Sequence, residues 1–284
     1  MQRILAVIAE LQDAERLVAR ARQLAAQFHG ELVLLRPVLA QFGGWHQVLA
    51  TGHLAQLRDD ILAAERERFA ALCGDDRGEV LWCERVYRAV IDQAAALGAE
   101  LIVIEANRHG PLEHLIHADD WHLLREAPCP VLVLPRVPRP VTAVIAAVDA
   151  LAEGPEQELL AERVLDQANA FAHAQGAPLT VVTVVPDPAL IYASPVAVPL
   201  TTDLIGELAE RARRAQHALL ERIGLKPEAA RVETGRVEDV LAQLAADALL
   251  VIGSVANKGL KGLVLGNTAE RVLHHVTTEM LVVN

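Results

Sequence analysis

Aromatic side chains make up only 3% of the 284 residues. The cores must therefore be filled by Ala, Leu, Val and Ile, the palette of helices packed on parallel strands, which favours an α/β class over a β-sandwich. Cysteine is equally scarce: Cys73, Cys83 and Cys129 stand in apolar contexts without a CxxC pair. That excludes a disulfide framework and predicts buried free thiols in a reducing compartment. No run of about 20 apolar residues occurs, and the opening MQRILAVIAELQD turns acidic without a cleavage pattern. Neither a membrane span nor a secretion signal is expected, and the cytoplasm is the expected setting. Positive charge is also short, with 26 Lys and Arg against 37 Asp and Glu and a net charge of −11. The basic residues are interspersed with acidic ones, so the clustered positive surface that nucleic acid requires is not expected.

What the chain does contain is one pattern written twice. AELIVIEANRHGPLEHLIHADDWHLLREAPCPVLVL from Ala99 and DALLVIGSVANKGLKGLVLGNTAERVLHHVTTEMLVV from Asp247 each read as strand, loop, short helix and strand. A repeat of roughly 140 residues has the size of a whole domain, not of a solenoid unit. The hydrophobic content of 52% is enough to fill two cores.

Each half alternates short apolar runs with segments of helical period, the pattern of βαβ units around a parallel sheet. The strand candidates are 4–8, 32–35, 80–83, 101–104 and 131–134, then 144–148, 179–184, 230–233, 249–252 and 280–283. Leu11, Ala14, Leu17, Val18, Ala21, Leu24 and Phe28 predict a core-facing helix after the first strand. Leu160, Val164, Leu165, Ala168 and Phe171 predict its counterpart in the second half. Three prolines in Pro135-Arg-Val-Pro-Arg-Pro140 mark the linker. The expected domains are residues 1–138 and 139–284, with irregular segments at 41–52 and 187–202 after each second strand.

In the second half the fourth strand runs into Gly253-Ser-Val-Ala-Asn-Lys-Gly-Leu-Lys-Gly-Leu-Val-Leu-Gly266-Asn-Thr-Ala-Glu-Arg. Glycine at a strand end allows close approach of a ligand to the backbone. Gly266, Asn267 and Thr268 then precede or open a helix whose free N–H groups suit an anion, phosphate above all. Lys258 and Lys261 could add charge. No Gly-Lys-Ser/Thr triplet is present, so this is not a Walker A loop.

The spacing Gly253, two residues, Ala256, nine residues, Gly266 resembles the Gly-x2-Gly-x9-Gly-Ser/Thr motif of the universal stress protein family. LKGLVLGNTAERVL looks like that family's loop and following helix, and the resemblance covers both halves, including Asp149 and Gly235. With DWHLLR in the first half and GNTAE in the second, the layout is similar to the family's tandem, E-type branch. The resemblance implies a flavodoxin-like (Rossmann-like) fold in each half, with a five-stranded parallel sheet flanked by helices. It also implies ATP or a related adenine nucleotide at the carboxyl edge of the second domain, with magnesium as its companion. Adenosine contacts carry over to Ala147, Val148, Asp149 and Val184. Phosphate contacts carry over to Gly253, Ser254, Ala256, Gly259, Gly266, Asn267 and Thr268. Two positions depart from the motif: Ala256 replaces its second glycine and Asn267 its Ser/Thr.

The first half departs much further. Ala9 stands where Asp149 does, and the glycine loop has become Glu105-Ala-Asn-Arg-His-Gly-Pro-Leu-Glu-His-Leu-Ile-His-Ala-Asp-Asp. Glu105, Asp119 and Asp120 would repel phosphate, so no ATP is expected there. His109, His114, His117 and His122 with Glu113 lack a familiar zinc-ligand spacing and read as solvated or helix-capping groups, with Asp119 or Asp120 as N-cap before Trp121. His274 and His275 read as partners of a helix C-terminus. No GxSxG, HExxH or CxxC set is present, and neither a catalytic nor a metal site is expected. The leading expectation is a cytoplasmic stress-response protein that binds ATP for sensing or regulation. Its halves are expected to pair as an internal pseudo-dimer through their last strands, with a homodimer as a further option. The alternative is a nucleotide-free interaction module whose apolar Ala193 to Leu200 stretch grips a protein or small molecule. A slow nucleotide hydrolase is third, because fold alone does not establish activity.

Overall fold

The computed structural model describes residues 1–39, 51–106, 118–185, 202–254, 267–275 and 277–284. They form two compact units, one holding Met1–Glu105 and residues 118–132, the other Val133–Asn284. In the first, β1 (Arg3–Val7), α1 (Glu15–Phe28), β2 (Glu31–Leu39), α2 (Thr51–Cys73), β3 (Arg77–Cys83), α3 (Val86–Leu97), β4 (Leu101–Glu105), α4 (Ala118–Glu126) and β5 (Val131–Leu134) follow one another. The second repeats the plan with β6 (Ala143–Ala147), α5 (Pro155–Gln175), β7 (Leu179–Val185), α6 (Thr202–Ile223), β8 (Ala229–Thr234), α7 (Val237–Leu244), β9 (Ala248–Gly253), α8 (Asn267–His275) and β10 (Met280–Val283).

Strand order is β3-β2-β1-β4-β5 in the first unit and β8-β7-β6-β9-β10 in the second. Pairing is parallel, with Ile4 opposite Leu32 and Leu101, and Val144 opposite Leu179 and Leu249. Each unit is thus a flavodoxin-like, Rossmann-like α/β domain. The inner strands are buried along nearly their whole length, as continuous apolar runs such as LLVI in β9 require when helices cover both faces. β3 and β8, at the sheet edges, are the least buried and carry Arg77 and Glu79, and Arg231 and Glu233. Charged side chains on an edge strand discourage pairing with another chain.

The helices stop by a shared device. The residue after α1, α3 and α5 is left-handed (His29 at φ 53, Gly98 at φ 62, Gly176 at φ 61). The next N–H then reaches back to the final turn, as Gly30 does to Ala25 (2.9 Å), Ala99 to Ala94 (2.9 Å) and Ala177 to Ala172 (3.0 Å). These are Schellman bonds, which satisfy carbonyls the helix leaves over. Leu17, Val18, Ala21, Leu24 and Ala25 are the buried stripe of α1. Leu11, expected to open that helix, lies before it, because the turn through Asp13 (φ 62) delays the helix to Glu15. Likewise α2 and α6 begin at Thr51 and Thr202, so the ends of the segments expected to be irregular are helical. The connection from β3 to β4, and from β8 to β9, crosses back over the first strand of its unit. This reversal opens a crevice at the carboxyl ends of β1 and β4 and of β6 and β9, the usual ligand position in such sheets.

Candidate functional site

In the second unit β6 ends at Ala147 and continues one step further, with the Val148 N–H bonded to Val182 O at 3.0 Å. Asp149 then turns the chain: its Oδ1 accepts the Leu151 N–H at 3.1 Å and its carbonyl accepts the Ala152 N–H at 3.3 Å. This Asx turn fixes the carboxylate and leads into Pro155, placed at the helix start where its missing N–H costs nothing.

On the neighbouring strand, Thr183 is 1% exposed and its Oγ1 accepts the Gln216 Nε2 at 3.2 Å. The same nitrogen lies 3.1 Å from Arg231 O and 3.4 Å from Val181 O, so Gln216 ties α6 to β7 and β8. Gly253 ends β9, and a Cβ built on it would lie 2.8 Å from Leu160 Cγ and Cδ2. The absent side chain therefore admits Leu160 of α5 to the strand end, which is a packing reason for this glycine. Ser254, only 5% exposed, donates its N–H to Val283 O at 2.7 Å, while its Oγ is buried with no hydrogen-bond partner among the described residues. An unpaired buried hydroxyl is costly unless something else meets it.

These strand ends, with the first turns of α5 and parts of α7 and α8, line a cleft of about 690 Å³. Its walls are mainly Val, Leu and Ala, including Val148, Leu151, Leu160, Val164, Val184 and Leu241; Asp149, Glu153, Gln157, Thr183 and Arg271 supply polarity. Of the residues expected at the site, Ala147, Val148, Asp149, Val184 and Gly253 line this one cleft. Ser254 follows directly. Asn267 and Thr268 form the first turn of α8. Ala256, Gly259 and Gly266, with Lys258 and Lys261, lie outside the described residues. Sequence reasoning missed Leu160 as a wall residue, and also Thr183, Gln216 and Arg271. Gln216 did leave a signal, a polar residue in the apolar spacing of Ala212 and Leu219, all three buried.

Behind the cleft, α7 packs on α8 through Glu238, whose side chain is 4% exposed. Its Oε1 accepts Arg236 Nη2 at 3.0 Å and its Oε2 lies 3.9 Å from Arg271 Nε. The N–H of Glu238 itself and the two arginines hold this carboxyl below the usual glutamate range against the opposing effect of burial.

At the carboxyl edge of the first unit, charged side chains stand where the second unit has small or neutral ones. Arg36, at the register position of Thr183, donates from Nη1 to the carbonyls of Ile8 (3.3 Å) and Ala9. Its Nε sits 2.8 Å from Glu65 of α2, a pair with side chains 15% and 14% exposed. Glu105, in place of Gly253, lies 3.6 Å from Arg16. At the positions of Glu238 and Arg271, Tyr87 and His122 stack with ring centroids 4.7 Å apart, and His122 Nδ1 is 3.1 Å from Glu126 Oε1. The expected N-cap is corrected: α4 starts at Ala118, so Asp119 and Asp120 lie within the helix and not before it. His109, Glu113, His114 and His117 lie outside the described residues, as does the stretch Ala193 to Leu200. Among the described residues, no three His, Cys, Asp or Glu groups converge on a common point, and no helix is long and apolar enough to cross a membrane. Trp82 and Trp121 are half-buried. His275, ending α8, places Nδ1 2.7 Å from Arg271 O.

Comparison with known proteins agrees with this duplicated plan. The model of the universal stress protein family matches residues 1–135 and again 144–284. Universal stress protein E of Escherichia coli (strain K12) is 26% identical over 308 aligned positions, covering 99% of this chain and 93% of that protein. Universal stress protein E of Photorhabdus laumondii is 27% identical over 72% of this chain and 68% of its own length. The crystal structure of a putative universal stress protein from Pseudomonas aeruginosa UCBPP-PA14 superposes with a TM-score of 0.71 at 27% identity, covering 100% of this chain and 93% of that one. A universal stress protein from Archaeoglobus fulgidus shares the fold at a TM-score of 0.58 and 14% identity, over 99% and 98% of the two chains. With two matched domains and full-length relatives of the same layout, the chain belongs to the universal stress protein family, in its tandem form similar to universal stress protein E.

Proposed function

We propose that the second unit binds an adenine nucleotide, ATP in the first instance, as a sensing or regulatory ligand of a cytoplasmic stress response, and that the first unit binds none. The observation that carries this reading is the convergence of Ala147, Val148, Asp149, Val184 and Gly253 on one cleft at the strand-order reversal. Its volume, about 690 Å³, falls within the roughly 300–1,000 Å³ typical of small-ligand sites. The valine and leucine walls suit the faces of a purine. The Asp149 carboxylate, held by Leu151 N–H, can accept from ribose hydroxyls or the adenine amino group. Phosphates then fall toward Ser254, whose buried Oγ has a hydrogen bond to give, and toward the amides opening α8. Gly253, Ala256, Gly259, Gly266, Asn267 and Thr268 complete the phosphate side in this reading, with magnesium entering as a companion of the phosphates. In the first unit the Arg36–Glu65 pair and the Glu105–Arg16 pair stand at the corresponding strand ends.

Mass spectrometry of the purified protein, followed by calorimetry with MgATP, tests the reading. Co-purified nucleotide, or saturable binding weakened about tenfold in Asp149→Ala, is expected. No nucleotide and no heat at millimolar MgATP would sink it. The mainly apolar lining favours as second reading a cleft for an apolar small molecule, which the same calorimetry separates by titrating adenosine against ATP. Phosphate release abolished by Asp149→Ala would assign slow hydrolysis to the site.

A further inference from the structure

Glu238 is a buried carboxylate with more cationic neighbours than it needs. Its own N–H and Arg236 at 3.0 Å already satisfy it, and Arg271 stands off at 3.9 Å. Arg271 itself is 54% exposed, belongs to the cleft wall, and is the sole cation among the described lining residues, where Asp149 and Glu153 are the acids. It projects from the second turn of the helix that Asn267 opens. The cleft therefore has acids beside the start of α5 and one guanidinium on α8. Withdrawing that guanidinium from Glu238 leaves no buried charge unpaired, because Arg236 remains.

We propose that Arg271 is the anion-recognition side chain of the cleft: it exchanges its loose contact with Glu238 for a phosphate group of the bound ligand, gripping two oxygens with the planar guanidinium fork. This rests on the nucleotide reading above and adds to it a residue outside the glycine loop. A guanidinium suits the task because its donors match phosphate geometry in pairs, whereas an ammonium acts as a point charge. The first unit has His122 at this position, stacked on Tyr87 and hydrogen-bonded to Glu126, in place of an arginine.

Calorimetry with ATP, adenosine and inorganic tripolyphosphate on the full chain, its Arg271→Gln and Arg271→Lys variants, tests the assignment. Thermal melts verify that each variant is folded. The expected result is ATP affinity reduced at least tenfold in Arg271→Gln and by a smaller factor in Arg271→Lys, with adenosine affinity unchanged in both. Equal ATP affinity in Arg271→Gln and the parent would overturn the proposal while leaving the nucleotide reading intact. So would an equal loss for adenosine and ATP, which would mean that Arg271 only shapes the cleft. If the parent protein binds neither ATP nor adenosine, the nucleotide reading fails and tripolyphosphate decides alone. Binding that weakens at least fivefold in Arg271→Gln then upholds Arg271, and no binding overturns it as well.

Discussion

The two units share a backbone plan and differ in what fills its working edge. At one register position the first unit has Arg36, bonded to the carbonyls ending β1 and paired with Glu65, where the second has Thr183 bonded to Gln216. At the end of the fourth strand Glu105 pairs with Arg16 in one unit, and Gly253 admits Leu160 in the other. Behind the edge a Tyr87–His122 stack in one unit corresponds to a Glu238–Arg271 ion pair in the other. Arg85 and Arg236 play the same part in both, donating to the tyrosine hydroxyl at 3.4 Å and to the glutamate at 3.0 Å. The lesson is that a duplicated domain can change the chemistry at its strand ends without changing its fold, by replacing small or neutral groups with long charged ones that pair with each other.

The largest effect is expected from removing the Arg36–Glu65 pair of the first unit. Arg36→Ala leaves the largely buried Glu65 with Arg68 alone (3.3 Å) and takes a donor from the carbonyls of Ile8 and Ala9, at a cost of about 3 kcal/mol. Arg36→Thr with Glu65→Ala should cost less than the sum of the single changes. The cysteines provide a readout confined to this unit. All three are buried there, and burial, aided by Glu100, pushes the Cys129 thiol up to about 12. Labelling by a thiol reagent near pH 8 therefore waits for the unit to open, and Arg36→Ala should accelerate it by about a hundredfold.

The matching change in the second unit is smaller. Gln216→Leu leaves Thr183 Oγ1 and Arg231 O without their donor, at a cost of about 2 kcal/mol. Faster amide hydrogen exchange in β7 and β8, with β1 and β2 unaffected, would show it. Asp149→Ala should weaken ATP about tenfold, the value of one charge-assisted hydrogen bond. The converse Ala9→Asp should add no second ATP site while Arg36 remains, and a stoichiometry of two in that variant, against one in the parent, would refute the role given to the Arg36–Glu65 pair.

The Glu238 contrast appears in acid. Its carboxyl titrates lower in the folded protein than in the unfolded chain, so the ionised form stabilises the second unit above the ordinary glutamate range of about 4.3. That contribution fades as pH falls from there through the lower folded value. Glu238→Gln should flatten this part of the denaturation-against-pH curve, with Arg236, Asp239 and Arg271 left to repair their own contacts; an unchanged curve would refute it. The smallest effect concerns His29, left-handed where α5 uses Gly176. His29→Gly should stabilise the first unit by about 0.5–1 kcal/mol, seen as slower thiol labelling.

Much of the fold was legible because a parallel strand covered on both faces must be an apolar run. Each of the ten strand candidates coincides with part of a strand, and errors are confined to ends such as Leu11, where a turn residue with positive φ delays the helix. That Asp149 and Val184 would line one cleft was legible because strand ends in such a sheet share one edge. Gly253 was legible as a position, but not the Leu160 contact that requires it. Arg36 gave no sign in sequence of what it does, since an arginine in a strand reads as solvent-facing until Ile8, Ala9 and Glu65 are brought around it.

Period, apolar content and turn chemistry act between residues near one another along the chain, and they were enough to determine two α/β units of one design and the edge at which such sheets form a crevice. The register of β1 against β2, and of β6 against β7, brings together groups about 30 residues apart. Only tertiary structure could therefore decide that Arg36 would meet Ile8, Ala9 and Glu65 at one strand end while Thr183 met Gln216 at the other, and that Arg271 would stand in the cleft wall with its partner Glu238 already satisfied.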